Sequence, residues 1–265
     1  MIAFNHIGRL GQLGNQMFQY AALKAIATKH GYEYMIPNHD IMVDSLGNKL
    51  RTELFDTFDL DVKVGIYNLD ERDYYSEPHF EYSKKFVDTL PDKCSIIGFF
   101  QSEKYFKNIE NEIRKDFAFK KQIRDECANI IDSIFSDPIA LHIRRGDFLI
   151  NSGNHHNLTL DYYDKALKKF DHTREVIIFT DDPDWAATQK LFSDDRFIIS
   201  QNNDQYHDMY LMSKCTDFII ANSTFSWWGA WLANCGRVIA PKKWFGPNNR
   251  DKNIKDLYPE NWELI

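Results

Sequence analysis

Apolar positions in this chain fall into short runs separated by segments in which they recur at helical spacing. Residues 2–7 predict a short strand. A loop punctuated by Gly8, Gly11 and Gly14 follows, Asn15 is placed as an N-cap, and residues 16–30 read as a helix stopped by Gly31. Residues 32–36 read as a second strand closed by Pro37, so the chain opens as an α/β layer. Residues 38–93, rich in Asp, Tyr and Phe, have weak periodicity and predict irregular structure with short helices. Beyond them, residues 95–100 predict a buried strand and residues 103–117 and 120–135 two helices, with Pro138 marking a boundary.

From Pro138 onward the alternation is regular. Strands are predicted at 139–143, 176–180, 197–200, 218–221 and 238–240, and helices at 160–170, 183–191, 204–215 and 223–233. Strands alternating with helices indicate a parallel sheet covered on both faces. The pattern divides into an N-terminal α/β domain, residues 1–137, and a C-terminal one, residues 138–265, with a cleft expected between them.

Composition narrows the class. Of the 265 residues 43% are hydrophobic and 27% charged, ordinary for a globular chain with a real core. The net charge of −7 disfavours broad nucleic-acid binding. Cys94, Cys127, Cys215 and Cys235 form no CxxC pair and no zinc spacing, as expected of reduced core thiols inside a cell. The chain starts without a signal-peptide pattern and has no apolar run of about 20 residues. A cytoplasmic protein is expected, with peripheral contact to a membrane left open.

Ligands of open parallel sheets bind beyond the carboxyl ends of the strands. The residues there are Arg144, Arg145 and Asp147, then Thr180, Asp181 and Asp182, then Asn222, Ser223 and Thr224, and in the first half Gly8 to Gln16. Two arginines in sequence at a strand end need an anion. A diphosphate suits them, because the guanidinium fork matches phosphate oxygens in pairs. A structural ion pair with Asp147 or another carboxylate is the competing reading. The Asn222-Ser223-Thr224 turn leads from a strand into a helix, whose free N–H groups also favour phosphate. Taken alone, the turn is better explained by ordinary capping by Asn222 or Ser223, and the phosphate reading gains when it is paired with the arginines.

Other features carry less. Trp227, Trp228 and Trp231 lie at helical spacing and are expected in the core, ahead of a sugar-stacking role. Asp182-Pro-Asp184 matches a metal-binding Asp-x-Asp pattern, but the proline makes Asp182 an N-cap. His155 and His156 have no helpful ligand spacing, and neither a dinucleotide fingerprint nor a P-loop is present.

Four segments together resemble a known family: Gly11-Gln-Leu-Gly-Asn-Gln-Met-Phe-Gln-Tyr-Ala21, His142-Ile-Arg-Arg-Gly-Asp147, Phe179-Thr-Asp-Asp182 and Ile220-Ala-Asn-Ser-Thr-Phe-Ser-Trp-Trp-Gly-Ala-Trp231. With Val238-Ile-Ala-Pro-Lys-Lys-Trp-Phe245 they look like the bacterial α-1,2-fucosyltransferases of glycosyltransferase family 11. The resemblance implies a GT-B fold of two Rossmann-like α/β domains, GDP-β-L-fucose as donor, inversion at the anomeric carbon, and neither metal nor cofactor. It puts Arg144 and Arg145 at the donor diphosphate, with Ser223, Thr224 and Phe225 on its other side. Asn15 is expected near the sugar and pyrophosphate, with Gly14, Gln16, His142 and Asn222 beside the donor and Asp181 and Asp208 at its nucleoside end. The spacing of Gly8 and Gly11 departs from the family's commonest form and leaves their roles open. Asp147 is the candidate base for the acceptor hydroxyl, with orientation of an arginine as its alternative role. A galactosyl oligosaccharide or lipid-linked glycan, as in O-antigen synthesis, is the expected acceptor. Its recognition is assigned to residues 38–93 and 148–158. Another nucleotide-sugar donor, or a non-catalytic carbohydrate-binding protein, are the rival readings.

Overall fold

The computed structural model describes residues 1–38, 42–43, 49–133, 137–201 and 203–265. Its first strand, Ile2–Ala3, is shorter than the apolar run suggests, because the chain turns at once through residues 5–9. It is the centre of a five-stranded sheet ordered Lys63–Val64, Tyr34–Ile36, Ile2–Ala3, Cys94–Ile97, Tyr74–Ser76, with every pairing parallel. Two of these strands come from the stretch expected to be irregular. That stretch also holds the helices Leu54–Thr57 and Lys84–Thr89 and an antiparallel pair, Met42–Val43 with Lys49–Leu50. Residues 39–41 and 44–48 of it lie outside the described residues.

The long helix runs Leu13–His30 and ends at Gly31, whose φ of 69° is the left-handed C-cap expected there. It begins three residues before the predicted start. Gln12, not Asn15, is the N-cap, and the Asn15 N–H already donates to the Gln12 carbonyl at 2.9 Å. Gly11 allows this: at φ 98° the chain folds back so closely that a Cβ there would collide with the Asn15 side chain. The predicted helix 103–117 is broken into 3-10 turns at Glu103–Tyr105 and Lys107–Ile109, followed by the helix Glu110–Asp116. Tyr105, Phe106 and Ile109 are all buried, and the tighter winding turns them inward together.

The second sheet has six parallel strands ordered Phe197–Ile199, Val176–Thr180, Ile139–Ile143, Asp217–Ile219, Val238–Ala240, Glu263–Leu264. Three of them start and stop where the apolar runs do, since Ile139–Ile143 and Val238–Ala240 are buried at every position and Val176–Thr180 at all but the last. The last strand and a short helix, Gly146–Ile150, have no counterpart in the sequence reading. Ile139, Leu141, Ile143, Tyr163, Ile178 and Ile219 belong to the core under this sheet. Trp227, Trp228 and Trp231 are core as well, at 0%, 0% and 4% exposure.

The chain forms two compact units, residues 1–120 with 252–259 and residues 121–251 with 260–265. The sequence put the division at 137. It moves because the helix Lys121–Ser133 buries Ile123 and Cys127 and packs on Gln205–Met212 of the second unit. The predicted end of that helix, residues 134 and 135, lies outside the described residues. Among the described residues no helix is long and apolar enough to cross a membrane.

Candidate functional site

The strand order of the second sheet reverses between Ile139–Ile143 and Asp217–Ile219. The chain steps outward from the first strand on one side, then returns to its other side. At such a reversal the connections diverge and leave a crevice beyond the carboxyl ends. Arg144 and Arg145 follow one strand there, and Asn222, Ser223 and Thr224 follow the other.

The structure separates the two arginines. Arg145 is locked internally: Nε donates to Asp182 Oδ2 at 2.9 Å, and the guanidinium lies over the Trp185 ring, 3.7 Å from its centroid. Asp182 is itself fixed, since Oδ1 accepts the Trp185 N–H at 3.2 Å as the helix N-cap predicted for it. The Arg144 fork is held by Asp147 Oδ1 at 2.7 Å and Asp181 Oδ2 at 3.1 Å. The Asp147 side chain is 59% exposed against 24% for Arg144, so this pair sits at the water boundary. A pair of that kind contributes about 0–1 kcal/mol and exchanges readily for a stronger anion.

Asp181 faces the arginine segment with both oxygens. Oδ2 meets Arg144, and Oδ1 accepts the Arg145 N–H at 2.8 Å. In this arrangement the carboxylate ties the arginine loop to the end of Val176–Thr180. Gly146 belongs to the same arrangement, because a Cβ there would lie 2.8 Å from Asp181 Oδ2.

Across the reversal, the helix Thr224–Ala233 begins at Ser223, whose side chain makes no capping bond. Asn222 does not cap either. Its amide donates to the His156 and Trp244 carbonyls, each at 2.8 Å, and so ties two loops together. The capping reading thus fails at both residues, and the first turn of the helix keeps N–H groups available to an anion.

His142 is buried, at 5% exposure. Its Nδ1 is paired with Ser226 Oγ at 2.9 Å, and its ring lies 5.2 Å from that of Phe225. Burial, helped by the Arg144 charge, pushes it down to about 3, so it is neutral and links the strand to the helix. Asp208 lies beyond Phe197–Ile199. Burial pushes it up to about 6, although Ser200 Oγ donates to it at 2.6 Å. His155 stacks on Phe148 with centroids 4.0 Å apart. Among the described residues no group of three or more His, Cys, Asp or Glu side chains could hold a metal ion.

The first unit carries Gly14, Asn15 and Gln16. Gly14 and Gln16 are buried. Gln16 is spent on the chain itself: Nε2 donates to the Gly11 and Arg51 carbonyls at 3.2 and 2.9 Å, and Oε1 accepts the Glu53 N–H at 2.8 Å. These bonds hold the glycine-punctuated loop to residues 51–53. Asn15 Oδ1 accepts from Gln101 Nε2 at 2.7 Å. Sequence reasoning missed Gln101, Glu77 and Trp185. Trp185 carries the faint signal of an aromatic within one turn of a predicted cap, whereas Gln101 and Glu77 lie in stretches with no clear period.

Comparison with known proteins agrees with this architecture. The family described as glycosyl transferase family 11 matches residues 2–265. The chain is 33% identical to an α-1,2-colitosyltransferase of Escherichia coli over 96% of both chains. It is 36% identical to the O-antigen biosynthesis glycosyltransferase WbnK of the same species over 62% of this chain and 53% of that one. Among solved structures, NodZ α-1,6-fucosyltransferase soaked with GDP-fucose superposes with a TM-score of 0.54 at 15% identity, covering 91% of this chain and 94% of that one. POFUT1 in complex with GDP-fucose gives 0.51 at 14% identity, covering 88% and 94%. The fold is therefore of the GT-B type, an α/β architecture with parallel sheets.

Proposed function

Because this chain belongs to glycosyltransferase family 11, we propose that it transfers L-fucose from GDP-β-L-fucose to the 2-hydroxyl of a galactosyl glycan, inverting the anomeric carbon and needing no metal ion. The observation that carries this reading is the pairing of Arg144 with an uncapped helix N-terminus on opposite sides of one strand reversal. Both groups favour a diphosphate.

In this mechanism the acceptor hydroxyl oxygen attacks the fucose anomeric carbon as the bond to the β-phosphate oxygen breaks; the electron pair leaves with GDP, and the hydroxyl proton is lost to solvent. Negative charge grows on the diphosphate. Arg144 stabilises it there, together with the N–H groups and hydroxyls of Ser223 and Thr224 and the Phe225 N–H. Asp147 holds the guanidinium until the diphosphate takes its place, which favours the orienting role over that of base. Arg145 keeps the loop in shape from behind. Asp208 is assigned to the guanine, whose N1–H and amino group can donate to a half-buried carboxylate, and Asn15 to the sugar side of the donor.

The acceptor in this reading is an oligosaccharide or lipid-linked glycan met in the cytoplasm or at its membrane surface, as the O-antigen relative suggests. The colitosyltransferase relative favours one second reading, with colitose, a deoxy relative of fucose, as the transferred sugar. One experiment separates these. The protein is incubated with chelator, a galactoside panel and either GDP-fucose or GDP-colitose, and product linkages are mapped. The fucosyl reading expects a 1,2-linked fucoside with inverted configuration. Preference for colitose would move the assignment to that donor, and sugar binding without GDP affinity would reduce the protein to a lectin.

A further inference from the structure

We propose that Glu77 is a positioning residue of the transfer reaction: its carboxylate builds the turn that presents Gln101, and Gln101 sets the orientation of Asn15. The inference rests on the donor-side reading of Asn15 and deepens it.

Glu77 follows the edge strand Tyr74–Ser76 and lies beside the end of Cys94–Ile97, where Ser76 is in register with Ile97. Its own N–H donates to the Ile97 carbonyl at 2.7 Å. The carboxylate then reaches across the strand end. Oε2 accepts the N–H groups of Phe99 and Phe100 at 2.8 and 3.1 Å, and Oε1 meets the Phe100 N–H at 3.1 Å and the Tyr105 hydroxyl at 3.4 Å. These bonds hold Phe100 at φ 52°, a left-handed conformation that a residue with a Cβ rarely adopts. The approach is close enough to require glycine at 98, where a Cβ would lie 2.5 Å from that of Glu77.

The residue after this constrained turn is Gln101, 7% exposed, whose Nε2 donates to Asn15 Oδ1. A continuous series of bonds therefore joins Glu77 to the glycine-rich motif through one backbone turn. Helix Leu13–His30 secures the turn a second time, because Gln19 Nε2 donates to the Gly98 carbonyl at 3.0 Å. Burial pushes the Glu77 carboxyl up to about 7, so a neutral side chain of the same shape is a fair substitute for it.

The test compares E77A, E77Q, Q101A and the double variant E77A/Q101A in donor KM, kcat and amide hydrogen exchange by mass spectrometry. E77A strips the acceptor from two N–H groups. It is expected to lower kcat/KM about a hundredfold and to speed exchange both in residues 99–101 and in the loop 11–15. E77Q retains an amide oxygen and recovers most of the activity. The double variant loses no more than the worse single one, since both act through the same bonds. A folded E77A with wild-type kcat/KM and unchanged exchange at 11–15 overturns the proposal. So does an E77Q as inactive as E77A, which would point to proton transfer by Glu77. If the wild type fails to transfer fucose, the donor assignment falls, while the exchange measurement at 11–15 still decides the relay. E77Q serves as the folded comparison if E77A is unstable.

Discussion

The guanidinium of Arg145 stacks on the indole of Trp185 while Asp182 holds its Nε, and the same aspartate caps the helix that carries Trp185. Three side chains thus fix one loop. Trp185→Ala removes a cation–π contact and frees the arginine, at a cost of about 1–2 kcal/mol measured by urea denaturation. GDP affinity falls only slightly if Arg145 supports the loop from behind. A loss as large as that of Arg144→Ala would show that Arg145 touches the donor.

Arg144→Ala is expected to lower kcat by about a hundredfold or more, some 3 kcal/mol of transition-state stabilisation. Arg144→Lys keeps the charge and loses the fork, so it recovers only part of the rate. Steady-state kinetics with GDP-fucose checks both. Equal kcat in all three proteins would remove Arg144 from the mechanism.

Asp147→Asn distinguishes the two roles open to that carboxylate. As partner of Arg144 it is dispensable once the diphosphate is bound, and turnover stays within about tenfold of wild type, because an exposed ion pair contributes so little. Turnover reduced about a hundredfold or more, together with loss of the acidic limb of the pH profile, would make it the base instead.

Asp208 makes a pH prediction with a definite sign. Burial raises it from 3.8 to about 6, so it is ionised at neutral pH and takes up a proton below that value. GDP affinity, followed by calorimetry, should weaken as pH falls from 7 to 5, and the slope should vanish in Asp208→Asn. For folding the sign is opposite. A carboxyl with a raised folded pKa contributes stability below its unfolded value and loses that contribution as pH rises through about 6. Asp208→Asn is therefore expected to narrow the gap in urea midpoint between pH 5 and pH 7.5.

Ser226→Ala leaves the buried His142 Nδ1 without its partner at 2.9 Å. A loss of about 1–3 kcal/mol in unfolding free energy is expected. kcat should fall as well, because His142 joins the Arg144 strand to the Ser223 helix. Unchanged stability would mean that the imidazole finds another partner.

The sequence by itself determined most of the strand and helix order in the second half of this protein, apart from Gly146–Ile150 and Glu263–Leu264. Ile139–Ile143 and Val238–Ala240 are buried along their length and Val176–Thr180 at all but its last position, and a buried parallel strand is a nearly continuous apolar run visible without a structure. The short-range chemistry was visible too: the Asp182 cap, the stop at Gly31, the tryptophan core of the last helix, and the clustering of Arg144 and Ser223 at strand ends. Tertiary structure decided the rest. Strands of two or three residues such as Lys63–Val64 and Tyr74–Ser76 are too short to show a period, and only their neighbours in the sheet make them strands. Hydrogen-bond partners far apart in sequence decided which polar groups remained free. Gln16 is consumed by Gly11, Arg51 and Glu53, Asn222 by His156 and Trp244, and Arg145 by Asp182, while Arg144 is paired with the water-exposed Asp147 as well as with Asp181. A residue's type states which bonds it can make, but the fold sets which of them are already made.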